Sequence, residues 1–280
     1  MHWKEHFKLK EFGLAYSRPQ DFVTLQHGPQ ILYVIWAALW LAYHLIWILI
    51  EAYWSLTNAP GKWMLLLTNL SYLALAFLTL VDFVCCLYVC CLRPDIANGR
   101  IKYLPWYIKV QWITLNICGH AAVQVTLLYW AMIATSTKAS TINKHGINLV
   151  HILLLVMVSA KPIKFQHFYM AVLSSIFYIF VNVMYYLASG RILYQFLNWT
   201  KPGTTTVLSL LFIFVSTPLS HFLLFGIYKL RVYLYKKLVT SRYENRYRKE
   251  KEEEDLEEIT FENGLDKNRN SKEKEKTEIF

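Results

Sequence analysis

Thr68 and His145 supply, in this 280-residue chain, a hydroxyl and an imidazole, the minimum set for nucleophilic catalysis. An imidazole that takes the proton of a nearby hydroxyl turns it into a competent attacker on an ester carbonyl. Asn69, Asn116 and Asn148 carry amides that could donate to the oxyanion such an attack creates. Glu51, Asp82 and His120 fall inside long apolar stretches, where an ionisable group is costly and therefore informative. A carboxylate with a Tyr or His partner in such a place can equally be a structural lock, and hydrogen-bonded packing is the expected role of His44, His120 and His151.

Membrane helices must position these groups. A chain that is 55% apolar, 16% aromatic and only 17% charged does not have a soluble composition. Uncharged runs cover residues 31–50, 63–92 with Asp82 the one interruption, 110–137, 145–160, 165–190 and 202–228. A hydrocarbon core takes about 20 residues of helix, whereas barrel strands would read as about 10 residues of alternating polarity. The expectation is an all-α integral membrane bundle of about six helices, near 31–54, 63–92, 107–135, 145–160, 166–190 and 204–228. The fourth, between Lys144 and Lys161, is expected to be short or partly re-entrant.

Charge sets the direction and excludes other classes. The net +10 divides into +13 on residues 1–240 and −3 on 241–280. Basic residues come in short clusters between spans, not as a face interleaved with stacking aromatics, which excludes nucleic acid as a partner. Residues 1–29 lack the apolar segment of a cleavable signal and are expected to form a cytoplasmic arm. Lys and Arg concentrate in that arm, in the stretch 93–109 and after the sixth span, which places both termini in the cytoplasm. Residues 238–280 are expected to be a charged, solvated tail. Asn198-Trp199-Thr200 then becomes an external glycosylation sequon. Cys90 and Cys91, at a cytoplasmic helix end, are palmitoylation candidates. The five cysteines offer neither a disulfide framework nor a zinc cluster, so no metal and no cofactor are expected.

Polar residues recur on one face of five of the six expected spans. Thr68, Ser71, Tyr72, Thr79 and Asp82 share a direction on the second, Asn116, Gly119 and His120 on the third, and Ser175, Tyr178 and Asn182 on the fifth. Stripes of this kind serve helix packing in membranes. Depth adds something further. Glu51 ends the first span and Thr68 begins the second on the outer side, and His145 opens the fourth. The 16 residues of that fourth run reach only about 24 Å, which draws His145 below the surface into the leaflet of Thr68.

Several short strings resemble a known family when taken in order. They are Phe12-Gly13-Leu14 with Pro19, Phe22-Val23 and Gln26; Leu67-Thr68-Asn69; Trp112 with Leu115-Asn116; and Thr126 with Tyr129-Trp130. His145-Gly146-Ile147-Asn148 and Asn198-Trp199 with Lys201-Pro202-Gly203 complete the set. From about Phe12 to about Lys237 the chain resembles the rolling stone family of multi-pass membrane proteins. That resemblance implies a role in cell-cell fusion of myoblasts at the plasma membrane, rather than the endoplasmic reticulum, with a membrane protein partner.

The chain is also similar, more distantly, to the androgen-induced and androgen-dependent TFPI-regulating proteins. These are membrane hydrolases of fatty acid esters of hydroxy fatty acids. Their threonine at the start of an early span and their histidine in an Asn-His-Gly motif match Thr68 and His145. The resemblance implies a metal-independent ester hydrolase with a threonine nucleophile and a lipid ester arriving from the bilayer. Here Lys144 stands between Asn143 and His145, and Phe168-Tyr169-Met170 and Leu193-Tyr194-Gln195 replace the usual Tyr-Pro pairs. Short external segments such as Ser55 to Lys62 suit a substrate taken from lipid better than recognition of another cell.

Overall fold

The computed structural model describes residues 9–58, 63–133 and 137–241. The remaining positions, which include most of the expected charged tail and the last residues of the third expected span, lie outside the described residues. The chain divides into two compact units, Met1–Lys229 and Leu230–Phe280. Residues 230–241, the described part of the second, are helical.

The first unit is a helical bundle. Helix α1 is Gln30–Asn58, α2 is Leu67–Leu92, and α3 is Trp106–Leu128 with a π-helical turn, Tyr129–Ile133, continuing it. Helix α4 is Ala139–Val158, α5 is Phe168–Ser189, and α6 is followed here over residues 202–229. Five helices are long and apolar enough to cross a membrane: Gln30–Ser55, Leu67–Leu92, Ala139–Val158, Phe165–Ser189 and Pro202–Ser241. This is the all-α membrane bundle expected.

The exception is α3, and its position explains its composition. It packs against α2, α4 and α5. At Gly119 it also approaches α6 so closely that a Cβ there would stand 2.8 Å from Leu224. Gln111, Asn116, His120 and Gln124 are all buried. A helix that meets protein on most of its faces has no need to be hydrophobic all round. The lipid-type surface lies on the other helices, where Leu39, Leu49, Phe177 and Leu187 are exposed.

Local signals end the helices where the chain turns. Gly190, at φ +66, closes α5 in the left-handed conformation, its N–H bonded to the Tyr186 carbonyl at 2.8 Å. Pro202 stands in the first turn of α6, where its missing N–H costs nothing. Helix α4 begins at Ala139, so His145 lies inside it and does not open it as the charge pattern suggested. The physical reason is a π-helical turn, Asn143–Ile147, that carries the helix past Lys144.

The arm before α1 is built into the bundle. Gln26 N–H bonds the Val158 carbonyl at 2.9 Å and Ala160 N–H bonds Thr24 at 3.1 Å, pairing the arm with the exit of α4. Phe22 and Val23 are fully buried, and the Phe22 ring meets Trp112 edge-on at 5.1 Å. This arm end of the bundle is therefore closed by packed aromatic side chains. The distal end, where α1 stops and α2 begins, holds the groups on which the chemistry depends.

Candidate active site

At the distal end Glu51 of α1 reaches α4. Its carboxylate accepts a hydrogen bond from Ser140 Oγ, and Lys144 Nζ lies 2.8 Å from Oε2. Lys144 also donates to Asn69 Oδ1 at 3.3 Å, and Asn69 Nδ2 donates to the Trp63 carbonyl at 2.9 Å. Three helices are thus tied at one corner by a lysine that sequence reasoning counted as a loop charge. The residues that touch are the sequence neighbours of the expected pair, Asn69 beside Thr68 and Lys144 beside His145.

Thr68 and His145 themselves share no hydrogen bond. Thr68 is half-buried, and its hydroxyl lies against the phenol of Tyr194, which also accepts the Leu67 N–H at 3.0 Å. Tyr194 sits between α5 and α6, and burial pushes its phenol up, so it stays protonated at neutral pH. His145 is buried and stacked on Tyr129, with ring centroids 3.7 Å apart and planes 13° from parallel. Its ring interacts with the Val125 carbonyl, and Nδ1 has no hydrogen-bond partner. Trp130 Nε1 donates to the His145 carbonyl at 3.0 Å, which fixes the π-helical turn against the end of α3.

Two amides, one opening this turn and one just past it, are also incompletely satisfied. Asn143 accepts from Tyr43 OH at 2.8 Å, yet its Nδ2 has no partner. Asn148 donates to the Lys144 carbonyl at 2.8 Å, yet its Oδ1 has none. Buried polar groups are normally hydrogen-bonded, and an unpaired one costs about 1–3 kcal/mol. Two such atoms lie on the π-helical turn, Asn143 Nδ2 and His145 Nδ1, with Asn148 Oδ1 just beyond it, and π-bulges frequently fall at functional sites.

The other expected site residues are spread through the molecule. Asn116 and His120 lie on α3 deeper in the bundle, where Asn116 Nδ2 faces His167 at 3.4 Å. His120 bonds the Asn116 carbonyl at 3.1 Å and Ser174 Oγ at 3.2 Å. Asp82 is at the arm end, far along α2 from Thr68. Lys161, Gln111 and Tyr33 all bond its carboxylate, the last at 2.7 Å. Asn198 Oδ1 accepts both the N–H and the hydroxyl of Thr200, at 3.0 and 2.6 Å, so the sequon is folded into a turn. Cys91 is exposed and Cys90 half-buried. His44 and His151 bond each other at 3.0 Å beneath Trp40, which stacks on His151 at 4.0 Å.

Sequence reasoning missed Lys144, Ser140, Lys161, Gln111, Tyr194 and Ser174. A usable signal existed for Gln111, a polar residue near the start of a long apolar run. None existed for Tyr194, which meets the start of α2 from 127 positions away in the chain.

With this geometry in place, the chain can be set beside known proteins. It is 24% identical over 256 residues to Protein rolling stone of Drosophila melanogaster, a match covering 82% of this chain and 90% of the relative. The chain is rolling-stone-like. The match spans enough of both chains to support a multi-pass membrane protein of the rolling stone kind, as the sequence strings implied. No family model matches, and no solved structure matches.

Proposed function

We propose that this rolling-stone-like chain is an intramembrane hydrolase of lipid esters, with Thr68 as nucleophile and His145 as general base. The observation that carries the reading is the unpartnered, buried Nδ1 of His145 on the π-helical turn. An imidazole whose N–H is turned to the Val125 carbonyl keeps Nδ1 as a free lone pair, the form a general base needs.

In this reading Thr68 gives up Tyr194 for His145 as its partner when the ester binds. Thr68 Oγ1 then bonds to the ester carbonyl carbon as His145 Nδ1 takes its proton. The developing oxyanion is assigned to the amide N–H groups of Asn143 and Asn69, which stand on the two helices that carry His145 and Thr68. Collapse breaks the ester C–O bond, and the imidazolium returns its proton to the departing alcohol. Water, deprotonated by the same imidazole, releases the acid and restores Thr68. The substrate class implied by the family resemblance, fatty acid esters of hydroxy fatty acids, fits a site entered from lipid.

The test is turnover of such an ester by purified protein in mixed micelles. Thr68→Ala and His145→Ala should each lower it by about 10²–10⁴-fold without loss of folded protein. Unchanged turnover in either variant removes that residue from the mechanism.

The family resemblance implies a second reading, a plasma-membrane role in cell-cell fusion, with the charge pattern putting both termini in the cytoplasm. A cell-mixing assay separates the two. Fusion supported equally by Thr68→Ala would make fusion independent of ester chemistry, and no fusion in any variant would remove the second reading.

A further inference from the structure

We propose that Ser174 is a second acyl-accepting nucleophile, with His120 as its base, in a cavity walled by α2, α3, α5 and α6. The inference rests on the hydrolase reading for its class of reaction but not for its residues. His120 and Ser174 both line this cavity of about 200 Å³, together with Ser71 and the apolar Leu70, Phe177 and Phe212. Phe177 is exposed on the outer face of α5, so the cavity meets the surface that lipid covers.

The hydrogen bonds give the imidazole a direction. His120 Nδ1 stands 3.1 Å from the Asn116 carbonyl, one helical turn back, which can only accept. Nδ1 therefore carries the proton, and Nε2 presents its lone pair to Ser174 Oγ at 3.2 Å. Nucleophile, base and the acceptor that orients the base are thus already within reach of one another, unlike Thr68 and His145. The Ser174 hydroxyl has an alternative acceptor, the Ala171 carbonyl at 2.8 Å, so its rest position shares the proton between helix and imidazole. Such sharing is ordinary for a helical serine and does not block attack.

An oxyanion donor is present on the same wall. One N–H of the Gln124 amide is held by Thr217 Oγ1 at 2.8 Å, while Ser216 lies at a long 3.4 Å. The weakly held N–H of Gln124, which also lines the cavity, is free to turn to a carbonyl oxygen there. The step balances as acyl transfer. Ser174 Oγ bonds to the carbonyl carbon, its proton passes to His120 Nε2, the ester C–O bond breaks, and the alcohol leaves with that proton. The cavity's apolar lining selects a fatty acyl ester over a soluble one.

The experiment labels the full-length, detergent-solubilised protein with a long-chain alkyl fluorophosphonate and maps the adduct by peptide mass spectrometry. Attack by serine forms an O–P bond and expels fluoride. The adduct is expected on Ser174, absent in Ser174→Ala and slowed at least 100-fold in His120→Gln, with thermal unfolding of Ser174→Ala unchanged. An adduct on Thr68 alone overturns this inference and leaves the proposed function standing. No adduct on any residue of a folded sample overturns both. Should His120→Gln fail to fold, the Ser174→Ala comparison with wild type decides the matter.

Discussion

Glu51 and Asp82 are both buried carboxylates paired with a lysine, and the difference in their surroundings separates a lock from a site. Around Asp82 every oxygen is committed: Lys161 and Gln111 share one and Tyr33 holds the other. Lys161 is itself 1% exposed and lies over the Tyr33 ring at 5.1 Å, with the arm residues Phe22 and Val23 packed nearby in the same core. Around Glu51 the lysine is partly open, and the adjoining π-helical turn carries two polar atoms with no partner, with a third on Asn148 just beyond it. Idle buried atoms occur at both ends, Gln111 Oε1 beside Asp82 among them, so what distinguishes the distal end is the open lysine together with an unpartnered imidazole nitrogen, His145 Nδ1. The free lone pair of that imidazole, rather than idle amides as such, is what suits a use beyond holding helices together.

The largest effect should come from breaking the lock on one side. Lys161→Met leaves Asp82 charged and facing only Tyr33 and Gln111. Removing one member of a buried pair costs about 3–5 kcal/mol, and folded yield in detergent should fall sharply. The pair Asp82→Asn with Lys161→Met should recover most of that loss, because the penalty lies in the orphaned charge. If the double variant is as unstable as the single one, the ion pair is not what closes this end.

Nearly as large is the effect expected at the arm. Phe22→Ala removes a fully buried ring from against Trp112 and should cost about 3–5 kcal/mol, read as a lowered thermal transition. An arm that merely rests on the bundle would give less than about 1 kcal/mol, and the closed arm end would then owe little to residues before α1.

These two effects also mark what sequence reading could and could not reach. The bundle was legible because lipid permits few alternatives: long uncharged runs must be helices, and polar residues on them must turn inward. Asn116, Gly119 and His120 on α3 and Ser175, Tyr178 and Asn182 on α5 do so, and their 100° spacing said as much. The two lysines misled for a physical reason. Lys144 and Lys161 bound an apolar run, where the positive-inside rule puts them in water, yet a four-carbon stem lets each ammonium fold back onto a buried acid. The π-helical turns left no trace because an i to i+5 hydrogen bond asks for no particular residue. The arm read as a loop because its order comes from contacts with Val158, Ala160 and Trp112, more than 80 positions away in the chain.

A smaller effect is expected when the comparison is tested at the distal end. Glu51→Gln keeps the shape and the bond to Ser140 but removes the charge opposite Lys144. That ammonium can turn to solvent, its side chain being 15% exposed, so the cost should be about 1 kcal/mol, or a fall of about 2–4 °C in the thermal transition. A loss as great as that of Lys161→Met would make Glu51 a second lock and remove the contrast.

The smallest stability effect should belong to Asn148→Leu, and it is the most discriminating. The substitution gives up one hydrogen bond, Nδ2 to the Lys144 carbonyl at 2.8 Å, worth about 0.5–1.5 kcal/mol net. It also removes an acceptor, Oδ1, buried without a partner, whose desolvation costs about 1–3 kcal/mol. The two nearly cancel, so the thermal transition should move by less than about 3 °C and can rise. Gln111→Leu at the arm end offers the matched control: it too removes an unpartnered oxygen, Oε1, but it loses bonds to Asp82 and to the Phe22 carbonyl and should be clearly destabilising. Ester turnover should respond in the opposite sense, falling in Asn148→Leu and surviving in whatever fraction of Gln111→Leu folds. A polar group that the fold does not need but turnover does can be there only for the ligand.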